Sequence, residues 1–170
     1  MAKTKLFGKY RGSVLNNIDP MQTGRLQVAV PDVASVTPTT WAMPCLPFTG
    51  IQNGMYVLPT IGSAVWVEFE RGDSAHPIWV GGFWRSAAEV PAPALATPPT
   101  PQSIVLQTAG QNTLTISDMP GPTQGILLKT TSGAMISISD VGITLSNGKG
   151  ATIVMAGPTI TMNQGALQVI

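Results

Sequence analysis

The chain has 170 residues, of which 44% are hydrophobic and only 10% charged, and nine basic against eight acidic residues leave a net charge of +1. That apolar content excludes charge-driven disorder, and the charge balance excludes a strongly basic nucleic-acid footprint. A charged fraction so far below the roughly 25% of an average soluble domain points to a surface partly hidden in an assembly, while 18 glycines and 15 prolines favour many short strands over long helices.

The N-terminus, MAKTKLFGKYRG, is charged and lacks the apolar core of a signal peptide. No run of about 18 apolar residues follows that could span a membrane as a helix. The expectation is a chain made and folded in the cytoplasm. RGSVLN (11–16) alternates toward a strand, and NIDPMQTG (17–24) is turn chemistry. RLQVAV (25–30) places Leu26, Val28 and Val30 on one face. WAMP (41–44) is a short strand candidate. AVWVEFE (64–70) sets Val65, Val67 and Phe69 against Trp66, Glu68 and Glu70, and PIWVG (77–81) follows the Arg71–Asp73 turn. Five short strands in about 80 residues suit a Greek-key barrel of the OB kind.

From Ala87 the chain reads AAEVPAPALATPPTPQS, with prolines at 91, 93, 98, 99 and 101. Such a joint is expected to be extended and stiff rather than helical. It divides the chain into a barrel (1–86), a linker (87–103) and a strand ladder (104–170). Every Trp, Tyr and Phe precedes the joint, and residues 104–170 carry only Asp118, Lys129, Asp140 and Lys149 as charges.

The ladder repeats itself. NTLTISD (112–118) is echoed by AMISISD (134–140), and GITLSNG (142–148) by PTITMNQG (158–165), with GILLKT (125–130) and ATIVMA (151–156) between. Alternation gives seven two-residue apolar stripes: Leu114/Ile116, Ile126/Leu128, Ile136/Ile138, Ile143/Leu145, Ile153/Met155, Ile160/Met162 and Leu167/Val169. This is a thin core for one chain. Its bare edges would invite pairing with other chains, and such repeats gain a continuous core by stacking. An intertwined oligomer, each chain covering the others' edges, is the expected solution.

Candidate chemistry is sparse. Glu68 and Glu70 share a face, whereas glycoside-cleaving carboxylates must flank a sugar; a solvated or subunit-facing edge is the simpler reading. The single histidine, His76, has no partner ligand or nucleophile in the pattern. Cys45, the single cysteine, excludes an internal disulfide and reads as a small buried apolar residue. Trp41, Trp66, Trp79, Phe83 and Trp84 could stack bases as OB barrels do. Residues 1–86, however, carry seven basic against five acidic groups, too few for a basic groove. Core and subunit contacts account for the tryptophans better.

The order of motifs resembles the spike proteins of contractile injection machines: the phage baseplate assembly protein V, phage central spikes, and the OB and β-helix parts of VgrG. The resemblance rests on GSVLNNIDP (12–20), GRLQVAVP (24–31), WAMPCLPFTG (41–50), GMYVLPTIGSAVWVEFERGD (54–73) and HPIWVGGFW (76–84). It implies an all-β homotrimer, with an OB-fold domain followed by an intertwined triple-stranded β-helix acting as a membrane-piercing needle. The implied partners are a baseplate hub, a separate tip protein as a further candidate, and transient contact with the target membrane. The setting is a virion tail baseplate or tail-like particle, assembled in the host cytoplasm.

On this reading the trimer core is Leu114, Ile116, Ile126, Leu128, Ile136, Ile138, Ile143, Leu145, Ile153, Met155, Ile160 and Met162. Lys3, Lys5, Lys9 and Arg11 dock on the hub, and Leu167, Val169 and Ile170 form the tip. No catalytic residue, metal or cofactor is expected. Some short phage spikes end in a His-x-His iron apex, but this sequence ends NQGALQVI. The second reading is a nucleic-acid-binding OB module with an oligomerising tail. A wall-degrading enzyme is a third, for which the chain has no room.

Overall fold

The computed structural model describes residues 5–34, 38–96, 102–120 and 124–169. The fold is all-β apart from single helical turns, and it divides into two compact units between Ala87 and Ala88. Each is described by itself.

The first unit is a curled five-stranded sheet in the order β2-β1-β6-β7-β3. Its strands are β1 (Tyr10–Asn16), β2 (Gln27–Ala29), β3 (Met43–Pro44), β6 (Ala64–Phe69) and β7 (Pro77–Gly82), with a helical turn α1 (Pro31–Ala34) after β2. Leu26 and Ala42 exchange backbone hydrogen bonds of 3.1 and 2.7 Å, which ties the β2 edge to the β3 edge and closes the curl. Alternation drives this closure. Val14, Leu26, Val28, Val30, Val65 and Val67 all point inward and are 0% exposed, with Phe69, Trp79 and Ala42 packed among them. The inward faces read from RLQVAV and AVWVEFE are the observed ones, although β6 stops at Phe69 and Glu70 opens the next turn. Trp79 donates its indole N–H to the Gly24 carbonyl (3.0 Å), so its polar atom is satisfied inside the core.

One element in this unit was not expected. The hairpin β4 (Thr49–Gly50) and β5 (Asn53–Gly54) projects after β3, held by the Met55 N–H donating to the Phe48 carbonyl. Cys45 is exposed rather than buried. Along residues 42–46 alternation turns Ala42, Pro44 and Leu46 toward the barrel, and so turns Met43 and Cys45 outward.

The proline-rich joint is not wholly extended. It contains a 3₁₀ turn (Ala87–Glu89) and a helical turn α2 (Ala92–Leu95). Pro93 sits in the first turn of α2, where a missing N–H costs nothing and the fixed φ favours a helix start. Residues 97–101, with Pro98, Pro99 and Pro101, lie outside the described residues.

The second unit is a single eight-stranded sheet in strict sequence order. Its strands are β8 (Ser103–Gln107), β9 (Thr113–Ser117), β10 (Gly125–Lys129), β11 (Met135–Ser139), β12 (Gly142–Ser146), β13 (Thr152–Ala156), β14 (Thr159–Met162) and β15 (Leu167–Val169). The ladder therefore has eight strands, not seven. SIVLQ is the added one, and it begins one residue inside the expected linker. Every neighbouring pair is antiparallel and belongs to the same chain. The expectation that backbone groups pair mainly between chains is corrected here: one chain pairs its own ladder and, among the described residues, leaves the outer edges of β8 and β15 open.

Candidate functional site

What the second unit leaves uncovered is a face. The register aligns its apolar residues into two columns. One runs Ile104, Ile116, Ile126, Ile138, Ile143, Met155, Ile160, Val169. The other runs Leu106, Leu114, Leu128, Ile136, Leu145, Ile153, Met162, Leu167. All twelve residues expected at a trimer core lie in these columns, which gain Ile104 and Leu106 from the strand the sequence reading missed. Eleven of the sixteen are between 37% and 55% exposed in the single chain. Among the described residues after the joint, only Ser117 is buried.

The opposite face carries Val105, Thr115, Leu127, Ser137, Thr144, Val154 and Thr161 in a central column, flanked largely by Ser, Thr, Gln and Gly. A five-residue strand puts three residues on this face and two on the other. Side chains of the central column have neighbours on both sides, which is why they are the less exposed set. Isoleucine and leucine standing in water beside half-buried threonine is the inverse of a finished fold. The two columns form one continuous apolar surface.

Two glycines fix the ladder's register. Gly125 and Gly142 open β10 and β12 with φ of +96° and +147°. A Cβ at Gly125 would fall on the Ile138 carbonyl oxygen, and one at Gly142 on that of Met155. The backbones approach too closely there for any side chain.

Of the residues at the tip, Leu167 is exposed at the foot of its column. Only the backbone of Val169 is described, and Ile170 lies outside the described residues.

The basic residues expected to dock on the hub are engaged with the barrel. Lys9 pairs with Glu68, and Lys5 donates to the Arg71 carbonyl (3.1 Å). Arg11 lies 5.7 and 5.6 Å from the rings of Trp66 and Phe83. The Leu6 N–H donates to the Gly72 carbonyl, so residues 5–9 are strapped across the turn after β6 instead of hanging free. Lys3 lies outside the described residues. Lys9 also occupies Glu68, while Glu70 is exposed on the turn; the two carboxylates do not form a pair facing one site.

The strongest electrostatic feature is one the sequence reading treated as plain turn chemistry. Asp19 is buried and accepts hydrogen bonds from the N–H groups of Met21, Thr23 and Arg25, from the Thr23 hydroxyl, and from Arg25 Nε and Nη2 (3.0 and 2.6 Å). The Arg25 guanidinium, helped by these backbone donors and opposed by burial, holds the Asp19 carboxyl far below the usual carboxylate range. Arg25 also stacks 5.4 Å from the ring of Trp41. The clamp shapes the loop that leads into β2; saturated on every side, it has no lone pair to offer a substrate. His76 is exposed and lies 3.6 Å from Asp73 in the turn before β7. Among the described residues, no group of three or more His, Cys, Asp or Glu stands together to hold a metal ion.

These features describe assembly surfaces, and the family comparisons agree. Residues 10–84 match the type VI secretion system/phage-baseplate injector OB domain. Residues 103–168 match the phage baseplate V C-terminal trimerisation domain, which begins with β8 and ends within β15. No curated protein matches the chain. The curled barrel, the eight-stranded ladder and these two matches, in the family's order, place the chain in the phage baseplate V family, as a structural spike component of a phage tail baseplate or a related secretion-system baseplate.

Proposed function

We propose that three copies form the central spike of the baseplate, each contributing one wall of a three-sided needle. The observation that carries this is the pair of unbroken apolar columns with nothing over them. Strand length selects the number of copies. Five residues at ~3.4 Å give a wall about 17 Å wide, and a regular triangle of that side has its walls ~5 Å from the axis, half the ~10 Å spacing of packed sheets. One layer of Ile and Leu then fills the centre. A four-walled prism would place its walls ~8.5 Å out and leave a void. In this reading the triple-stranded β-helix is built from three such meanders packed about one axis.

Eight strands at ~4.8 Å make the needle about 34 Å tall, close to the ~30 Å hydrocarbon core of a bilayer. The strand residues of its outward face are uncharged apart from Lys129, and the backbone ladder bonds are internal, so entry into lipid leaves few backbone groups of the strands unpaired. The Ser/Thr surface gives it no reason to stay there. The work is mechanical, driven by contraction of the tail, with the barrel end held on a hub and the C-terminal end leading, bare or capped by a tip protein. No residue is asked to do chemistry, and assembly takes place in the host cytoplasm.

Light scattering on the purified chain tests this reading. The expected particle has three times the 17.8 kDa chain mass and no affinity for single-stranded DNA. A monodisperse monomer overturns the reading, and tight DNA binding by the barrel favours the nucleic-acid module instead.

A further inference from the structure

The barrel carries a second unfinished surface. From Val33 to Val67 the sequence contains no charged residue. Within that stretch Phe48, Tyr56, Val57 and Ile61 are exposed, and Ile51, at the tip of the β4–β5 hairpin, is 95% exposed. The hairpin is a built knob. Thr49 pairs with Gly54 and Gly50 with Asn53, so little order remains to be imposed when it binds.

The barrel also carries a recess of about 420 Å³, floored by Trp41, Met43, Pro77 and Ile78, with Glu70 and His76 among its lining residues. Its basic member, Arg25, is already neutralised by Asp19. The recess includes Met43 of the edge strand β3, and the knob follows that strand in the chain. β3 runs parallel to β7, with Met43 beside Ile78 and Pro44 beside Trp79. The recess gathers where β7 begins, and the chain leaves β3 toward the end of β7 before forming the hairpin.

We propose that the hairpin tip of one barrel seats in the Trp41–Met43–Ile78 recess of the next copy, closing a head-to-tail ring of three. The inference rests on the homotrimer proposed above. A head-to-tail contact needs two different complementary patches, and it closes into a ring only if the rotation permits. Here the knob is uncharged and the recess is mainly apolar, with Glu70 as its one carboxylate, and the covalent link to the trimerisation segment sets the number. Residues 85–102 separate the two matched domains and reach at most ~60 Å. Three barrels so tethered see one another at an effective concentration in the millimolar range, so a contact too weak to hold free barrels together still forms.

The test uses the full chain with Ile51 replaced by the photo-crosslinker p-benzoylphenylalanine, a change this exposed position tolerates. After light scattering has established the mass, irradiation is expected to give covalent dimers and trimers at least tenfold above the same probe placed at exposed Asp32. The linked peptides should contain residues 40–43 or 75–78 of another copy, and adding Met43→Asp should cut the yield at least fivefold at unchanged mass. A particle of trimer mass whose Ile51 probe stays monomeric on a denaturing gel, or links elsewhere, overturns the proposal while leaving the trimer intact. Linkage only after the hub protein is added assigns the face to the hub and also overturns it. A monomeric particle instead brings down the trimer reading on which the inference rests.

Discussion

The two units spend similar sequence patterns on opposite outcomes. In the barrel, alternating strands curl until Val14, Leu26, Val28 and Val67 meet one another and water is excluded completely. In the ladder, alternating strands of the same quality lie in one sheet, and Ile138, Ile126 and Leu128 remain 39–45% exposed. The difference is closure. The Leu26–Ala42 bond brings two sheet edges together, whereas β8 and β15 are the opposite edges of an eight-stranded sheet and are not paired with each other. Alternation thus specifies which face seeks burial and says nothing of whose atoms will bury it. The barrel buries its own apolar face, and the ladder alone does not.

The largest test of that contrast is Ile138→Asp. If the columns meet at a threefold axis, one substitution places three carboxylates in one apolar layer, each costing several kcal/mol unless it protonates. Trimers should be lost by light scattering while the barrel's tryptophan fluorescence is kept. Ser137→Asp, one residue along on the other face, should assemble normally. Equal behaviour of the two variants would break the face assignment.

Gly125→Ala should come next. Its backbone at φ +96° costs an alanine about 1–2 kcal/mol, and the collision with the Ile138 carbonyl adds overpacking strain of about 1–3 kcal/mol. Both recur in every copy. Gly150→Ala, at φ +102° with nothing near the added Cβ, carries only the first cost. A difference in melting temperature between the two measures how tightly the ladder's register is held.

In the barrel, Leu26→Ala empties a fully buried site and should cost about 2–5 kcal/mol. The sharper reading is its concentration dependence. Barrel unfolding in this variant should shift by the same amount at every protein concentration, whereas needle variants should melt at temperatures that rise with concentration, because assembly and folding are linked there. Concentration-dependent melting of both units would erase the distinction.

Much of this was legible in the sequence, for one physical reason: a period of two is written directly in the residues. RLQVAV and AVWVEFE disclosed the barrel's inward faces, and the stripes from Leu114 to Met162 fell in their observed columns. The misses share a cause as well. In SIVLQ three consecutive apolar residues hide the alternation, so the strand is not visible at the head of the ladder and its first residue, Ser103, falls in the expected linker. Pro93 read as a helix breaker because its place in a first turn is not visible from composition. Cys45 was judged by residue type, when the parity of its neighbours Ala42, Pro44 and Leu46 decides its direction. The hairpin and its recess, and with them the barrel's uncharged face, depend on which loops close around β3 and β7, a long-range fact that no local pattern carries.

The Asp19 clamp gives the smallest effect and tests whether the barrel's stability is wholly its own. NIDPMQTGR reads as a turn, yet it folds around one carboxylate that accepts from Arg25 and from three backbone N–H groups. Because the folded carboxyl is held far below its ordinary value, the unfolded chain takes up the proton first. Stability from the clamp is therefore complete above the unfolded value of about 4 and is lost as pH falls below it. Barrel melting should be insensitive to this group from pH 5 to 8 and should decline below about pH 4. Asp19→Asn removes the titrating group, so its melting temperature should be lower near neutrality, and its acid-side decline shallower than that of the unmodified chain. Parallel acid profiles for the two proteins would show that the carboxylate is not clamped in solution.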